Sequence, residues 1–235
     1  MKPKPPIAGF SFLFLILLTF NFLNCSNSDA DFDPCTRHYE LEALKPAEFS
    51  NQWIPYFKGQ ILQAKSNNAA PIPFQVDSFP ILIHGDRSFF EIPCYEDSTK
   101  TNRVFYSSLA YQCKLVNQSK LLDLREIHIS LYVLLDELES KLDKLKLADI
   151  LEIDFVLMDT GISNTKRFIL QFPVLDRGFA NAFKSNYKFD SNLTLNGKTF
   201  LNVYSNYELA DKFKVYYSDQ GILGFEMPDG SFYYF

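Results

Sequence analysis

Leu124-Arg125-Glu126-Ile127-His128-Ile129-Ser130-Leu131-Tyr132-Val133-Leu134-Leu135 decides the fold, because it can be read in two ways. Ile127, Ile129, Leu131, Val133 and Leu135 alternate strictly, the period of a strand with one buried face. Leu131, Leu134, Leu135, Leu138, Leu142 and Leu145 recur at helical spacing instead. Both patterns cannot hold over the residues they share. We read a strand as far as Leu135, followed by a short amphipathic helix from Asp136 to Leu147. His128 sits between the apolar positions and so points to solvent or to an opposing sheet.

Downstream of this stretch, Ile150 to Met158 and Lys166 to Pro173 read as strands around Asp159-Thr160-Gly161, and Arg177 to Lys184 adds a helical turn. Leu193-Thr194-Leu195-Asn196-Gly197-Lys198-Thr199-Phe200 is a hairpin, because Asn-Gly suits a two-residue turn that needs positive φ at both positions. Phe213 to Tyr217, Ile222 to Met227 and Ser231 to Phe235 then meander through turns at Asp219-Gln220-Gly221 and Pro228-Asp229-Gly230.

Upstream, Arg37 to Phe49 is a charged lead-in segment or short helix. Gly59 to Lys65 and Ile72 to Phe79 are strands about a Ser66-Asn67-Asn68 turn, followed by Ser88 to Cys94 and Val104 to Leu115. Pro71, Pro73, Pro80 and Pro93 fall at the ends of these runs, where a missing N–H costs the ladder little. A chain with 24 Phe and 13 Tyr is biased toward residues that suit a pleated surface. The fold class is therefore mainly β: an antiparallel sandwich or partly open barrel of about 11 to 12 short strands with one short helix. A membrane-spanning barrel fits poorly, since Ser231 to Phe235 is far shorter than the ~9 to 11 residues such a strand needs.

At the front of the chain, Lys2 and Lys4 precede a run from Phe10 to Leu18 that is apolar but for Ser11, too short for the ~20 residues of a spanning helix. That is an export-signal pattern. Phe22-Leu23-Asn24-Cys25 closes it and resembles the lipobox of bacterial lipoproteins in the relaxed form, accepting Asn before the Cys, seen in spirochaetes and Bacteroidota. The resemblance implies removal of residues 1–24, a lipid (palmitate) on Cys25, and an outer-membrane or cell-surface location. The rival cut follows Ser28-Asp29-Ala30 and would release a secreted protein starting at Asp31. Residues 25–36 form a small, polar, acidic tether that cannot bury enough surface to fold, and residues 37–235 form a single β-rich domain. The closing hairpins, with Tyr216-Tyr217-Ser218, Gly221-Ile222-Leu223-Gly224-Phe225 and Asp229-Gly230, resemble those of Bacteroidota envelope lipoproteins and imply no activity.

Loss of residues 1–24 removes two of 23 basic residues and none of 28 acidic ones, leaving 21 against 28 and a net charge of -7. With no basic cluster, nucleic acid is excluded as a partner. Once Cys25 carries lipid, Cys35, Cys94 and Cys113 remain, enough for one disulfide and one spare thiol. A hairpin centred near Ser98 to Thr101 sets Cys94 opposite about Phe105, so Cys94 and Cys113 do not face each other, and Cys35 can pair with either. There is no Cys-x-x-Cys and the three histidines are scattered, so neither a metal nor another cofactor is indicated.

No catalytic motif stands out. The most site-like cluster is His84-Gly85-Asp86-Arg87, in which His84 would act as base, Asp86 would orient it and Arg87 would hold an anion; the plain alternative is a turn bent at Gly85. Asp97-Ser98-Thr99 resembles the O-glycosylation acceptor of Bacteroidota. Trp53 with exposed tyrosines could stack on a glycan, although core positions suit most of them equally. Three functions follow: a non-catalytic binding or scaffold module for a glycan or envelope protein, a lipid or lipoprotein carrier with a half-barrel cavity, and a surface glycan hydrolase. Two carboxylates converging in a cleft would favour the hydrolase, and a dry apolar groove the carrier.

Overall fold

The computed structural model describes residues 34–66, 70–119, 121–158, 165–179, 187–206 and 213–235, with backbone alone at 79–84. The leader, Cys25, nearly all of the tether, the centre of the Asp159-Thr160-Gly161 turn and most of the expected helical turn at 177–184 lie outside these residues. The described chain is mainly β, in antiparallel sheets of which one curls into a half-barrel, with very little helix.

Twelve strands form two sheets among the described residues. In chain order they are β1 (His38–Glu40), β2 (Ile61–Ala64), β3 (Ile72–Pro93), β4 (Thr101–Asn117), β5 (Leu124–Leu135), β6 (Leu147–Met158), β7 (Thr165–Arg177), β8 (Lys188–Leu195), β9 (Lys198–Ser205), β10 (Lys214–Ser218), β11 (Gly221–Glu226) and β12 (Phe232–Tyr234). The larger sheet runs β2-β3-β4-β5-β6-β7, and the smaller runs β12-β11-β10-β9-β8. Lys65 and Tyr234 exchange backbone hydrogen bonds of 2.8 and 2.9 Å, so the two sheets meet at a corner where β2 runs out beside β12.

β1 is the exception to the antiparallel rule. It pairs in parallel with the Arg103–Phe105 stretch of β4, and Leu44 then bridges Ser108. β5 takes over the same flank of β4 only from Ala110 onward. The lead-in segment therefore fills a slot between β4 and the far end of β5. A disulfide from Cys35 to Cys94 ties its start to the β3–β4 turn, and Cys113 is free and buried.

The strand reading of Leu124 to Leu135 holds, and the helix after it does not. Asp136 Oδ1 accepts from the backbone N–H of Leu138 and Glu139, both at 3.1 Å, a cap that could equally open a helix. The chain instead closes a hairpin: the Asp136 N–H donates to the Lys146 carbonyl, and Lys141 and Lys144 bridge each other. The leucines of the would-be helical stripe have little to pack on, for Leu138 is 96% exposed and Leu142 38%. The strands are also longer than expected. Ile72 to Phe79 and all but the last residue of Ser88 to Cys94 belong to one 22-residue strand, which absorbs Pro80 at a register slip between Ser78 and Ile81 and passes through His84–Arg87 at another. Cys94 lies beside the turn rather than opposite Phe105, since Phe105 pairs with Phe89.

One apolar face of the larger sheet packs on the smaller sheet. Ile127, Ile129, Leu131, Leu151, Ile153 and Phe155 are fully buried there with Phe213, Val215, Tyr217 and Phe225. Phe172 and Tyr204 stack across the two sheets at 4.0 Å and 8°, and Trp53 meets both edge-on. Such pairs add about 0.5–1.5 kcal/mol each beyond area burial. Further along β5 the same face, through Val133 and Leu135, builds a smaller core with Leu44, Phe90 and Val104 beneath the inserted lead-in segment.

Candidate functional site: a polar cleft across four strands

Alternation sends every second residue of β4 to β7 away from the core. On that opposite face the register aligns three rows: Gln112, Ser130, Glu152 and Gln171; then Lys114, His128, Asp154 and Ile169; then Val116, Glu126, Val156 and Arg167. Most of these side chains are polar, although the face is only part-exposed. Seven of them, Gln112, Ser130, Glu152, Lys114, His128, Asp154 and Arg167, line a cleft of about 320 Å³ together with Ser78 of β3 and Cys113, at the lower end of the ~300–1,000 Å³ range of small-molecule sites.

Asp154 lies at the buried end of this cleft, its side chain 2% exposed. Oδ2 accepts from Arg167 Nε at 2.8 Å and from Arg167 Nη2, while Oδ1 has no partner among the described residues. Two residues along the same strand, Glu152 Oε2 accepts from Gln171 Nε2 and, at 3.4 Å, from the Tyr132 hydroxyl. Burial, reinforced by the Glu152 charge, pushes the Tyr132 hydroxyl well above the usual phenol range, so it remains a donor. At the far side, His128 Nε2 lies 2.7 Å from Glu126 Oε2, and Lys114 Nζ stands 3.5 Å from Asp77 and 3.7 Å from Glu126. The cleft thus alternates donors and acceptors along and across the strands.

The cluster named from the sequence lies on a strand, and Arg87 has other partners. His84-Gly85-Asp86-Arg87 is not a turn but part of β3, where His84 pairs with Leu109 and Arg87 with Ser107. Gly85 is required for close approach rather than for a bend, since a Cβ there would lie 2.9 Å from the Ser108 carbonyl oxygen. Arg87 is taken by Glu40 and by the face of Phe105, 4.1 Å away; the His84 side chain lies outside the described residues. Trp53 is buried among Phe172 and Tyr204, which removes it from any sugar-stacking platform. Asp97-Ser98-Thr99 occupies the exposed β3–β4 turn, with Asp97 Oδ1 accepting from the Thr99 amide at 3.0 Å and hydroxyl at 2.6 Å. The one set of metal-ligand types in mutual reach among the described residues is Cys35, Cys94 and Glu96, and its two sulfurs are bonded to each other.

Sequence reasoning passed over Glu152 and Asp154. The signal was present: in Leu151-Glu152-Ile153-Asp154-Phe155, two carboxylates interrupt an otherwise apolar strand with period two. No family model, curated protein sequence or solved structure matches this chain.

Proposed function

We propose that this chain is an envelope-anchored lipoprotein, held through a lipid on Cys25 at the bacterial outer membrane or cell surface, and that its body is a non-catalytic binding module for a small polar molecule. The anchor rests on Lys2, Lys4, the Phe10–Leu18 run and Phe22-Leu23-Asn24-Cys25. A Cys35–Cys94 disulfide is compatible with an oxidising envelope compartment. The observation that carries the binding reading is the aligned polar cleft, with a buried carboxylate oxygen left without a partner. Buried acceptors are ordinarily satisfied. The carrier reading has less support, because the apolar face of the larger sheet is filled by the smaller one.

Two measurements test the two halves. Metabolic labelling with an alkyne fatty acid should mark the protein and lose the mark in Cys25→Ser; a product starting at Asp31 without fatty acid would refute the anchor. Thermal-shift screening against a library of small polar compounds should find stabilisers whose effect disappears in Glu152→Gln. A library without a single such compound would refute the cleft as a binding site.

One observation favours a second reading, glycoside hydrolysis. Glu152 and Asp154 project from one strand into the same cleft, and a two-residue offset along a strand is about 6.6–6.8 Å, within the spacing of acid/base carboxylate pairs. Release of nitrophenol from chromogenic glycosides, abolished by Glu152→Gln, would decide for it.

A further inference from the structure

Resting on the cleft as a binding site, we infer that its ligand is a neutral polyhydroxylated molecule, a sugar or cyclitol unit, whose hydroxyls dock on Asp154 and Arg167. The Asp154 carboxylate already has its charge balanced by the Arg167 guanidinium on Oδ2. What Oδ1 lacks is a donor, not a second positive charge. An O–H supplies the donor without crowding a cation against Arg167.

The surroundings ask for groups that both donate and accept. Arg167 lines the cleft with its side chain 57% exposed, and its guanidinium has more N–H groups than the two spent on Asp154. One strand-row away, the Gln112 amide and Ser130 hydroxyl make no side-chain hydrogen bond among the described residues, and each can donate and accept. A hydroxyl satisfies an acceptor and a donor at once, so adjacent hydroxyls on one ring can bridge Asp154 to Arg167 and Ser130 to Gln112. A divalent cation is a poorer match, since no three ligating side chains converge at Asp154 among the described residues. An apolar ligand would leave Gln112, Ser130 and Asp154 Oδ1 without partners.

Saturation-transfer NMR on the purified chain, kept in a detergent that carries no sugar, tests this with D-glucose, D-galactose, N-acetyl-D-glucosamine and myo-inositol as probes, set against putrescine and glutamate. At least one neutral probe should receive magnetisation, with affinity falling about tenfold or more in Asp154→Asn, the loss of a charge-assisted hydrogen bond. Binding should weaken several-fold in Gln112→Ala, an exposed position where folding is not at issue. If Asp154→Asn does not fold, the Gln112→Ala and Ser130→Ala pair decides. Binding of putrescine or glutamate alone would overturn the ligand class while keeping the cleft. Sugar binding that ignores all the variants would overturn the location. Silence from every probe would overturn the inference, and only an equally empty thermal-shift library would also remove the binding site.

Discussion

Asp149 shows how much one buried carboxylate can organise. It sits at the bulge where β6 slips against β7, fully buried, and accepts from the Ala47 amide at 2.7 Å, the Ser50 hydroxyl at 2.6 Å and the Arg177 guanidinium. Those three donors belong to the lead-in loop and to the end of β7, so one side chain fixes two segments far apart in sequence. Asp149→Ala strands a guanidinium and two donors, and we predict a loss of about 3–5 kcal/mol; Ser50→Ala removes one hydrogen bond and should cost about 1 kcal/mol. Urea denaturation of the two variants checks the ranking, and equal losses would refute it. Nothing in Ala148-Asp149-Ile150 distinguishes this role in the sequence. The polar residue is visible there, but its partners are set by the bulge, which depends on Pro173 facing Ile150 across the sheet.

Among elements, the β3–β4 ribbon and its tether matter most. Beyond Ser108 it leaves β5 and is flanked by β1 alone, held by hydrogen bonds such as Leu41 N–H to the Phe105 carbonyl at 2.9 Å. The disulfide spans 59 residues, and its removal in a Cys35→Ala, Cys94→Ala double variant should cost about 2–4 kcal/mol. Hydrogen exchange should accelerate in β1 and at the ribbon end well before β10 or β11; uniform acceleration would contradict this. Strands and the Asn196-Gly197 turn were legible because local rules set them: Asn196 and Gly197 do take φ of 47° and 78°. The hairpin at Asp136 was not. Its cap serves a helix or a turn equally, and the deciding fact, that Leu138 and Leu142 stay exposed, is a property of the folded sheet. The cleft was illegible for a related reason, because it exists only once four strands adopt a common register.

For the molecule as a whole, the core contains acids that must stay neutral. Burial pushes the Cys113 thiol up to about 12, and raises Tyr56 and Tyr217 well beyond the ordinary phenol range. Each therefore binds its proton more tightly folded than unfolded, so the stability this confers is complete below the unfolded values, about 8.5 for Cys and 10 for Tyr, and declines as pH rises through them toward the folded ones. The urea midpoint should fall steadily from about pH 8.5 upward, and Cys113→Ala should delay the onset. A midpoint that holds level to about pH 11 would refute the picture. Thiol reagents at neutral pH should likewise reach Cys113 only after denaturant is added, since it is 2% exposed.

The parallel insertion of β1 also has a mechanical side. Tension arriving from residues ahead of Pro34 meets Cys35 before it meets β1, and the covalent bridge diverts the load to Cys94 at the ribbon's end. The ladder between β1 and β4 is thereby spared from shear. In the reduced chain the same pull would act first on the short β1–β4 ladder and the hydrogen bonds beside it, so the force at which the first element detaches should depend on the redox state of a single bond.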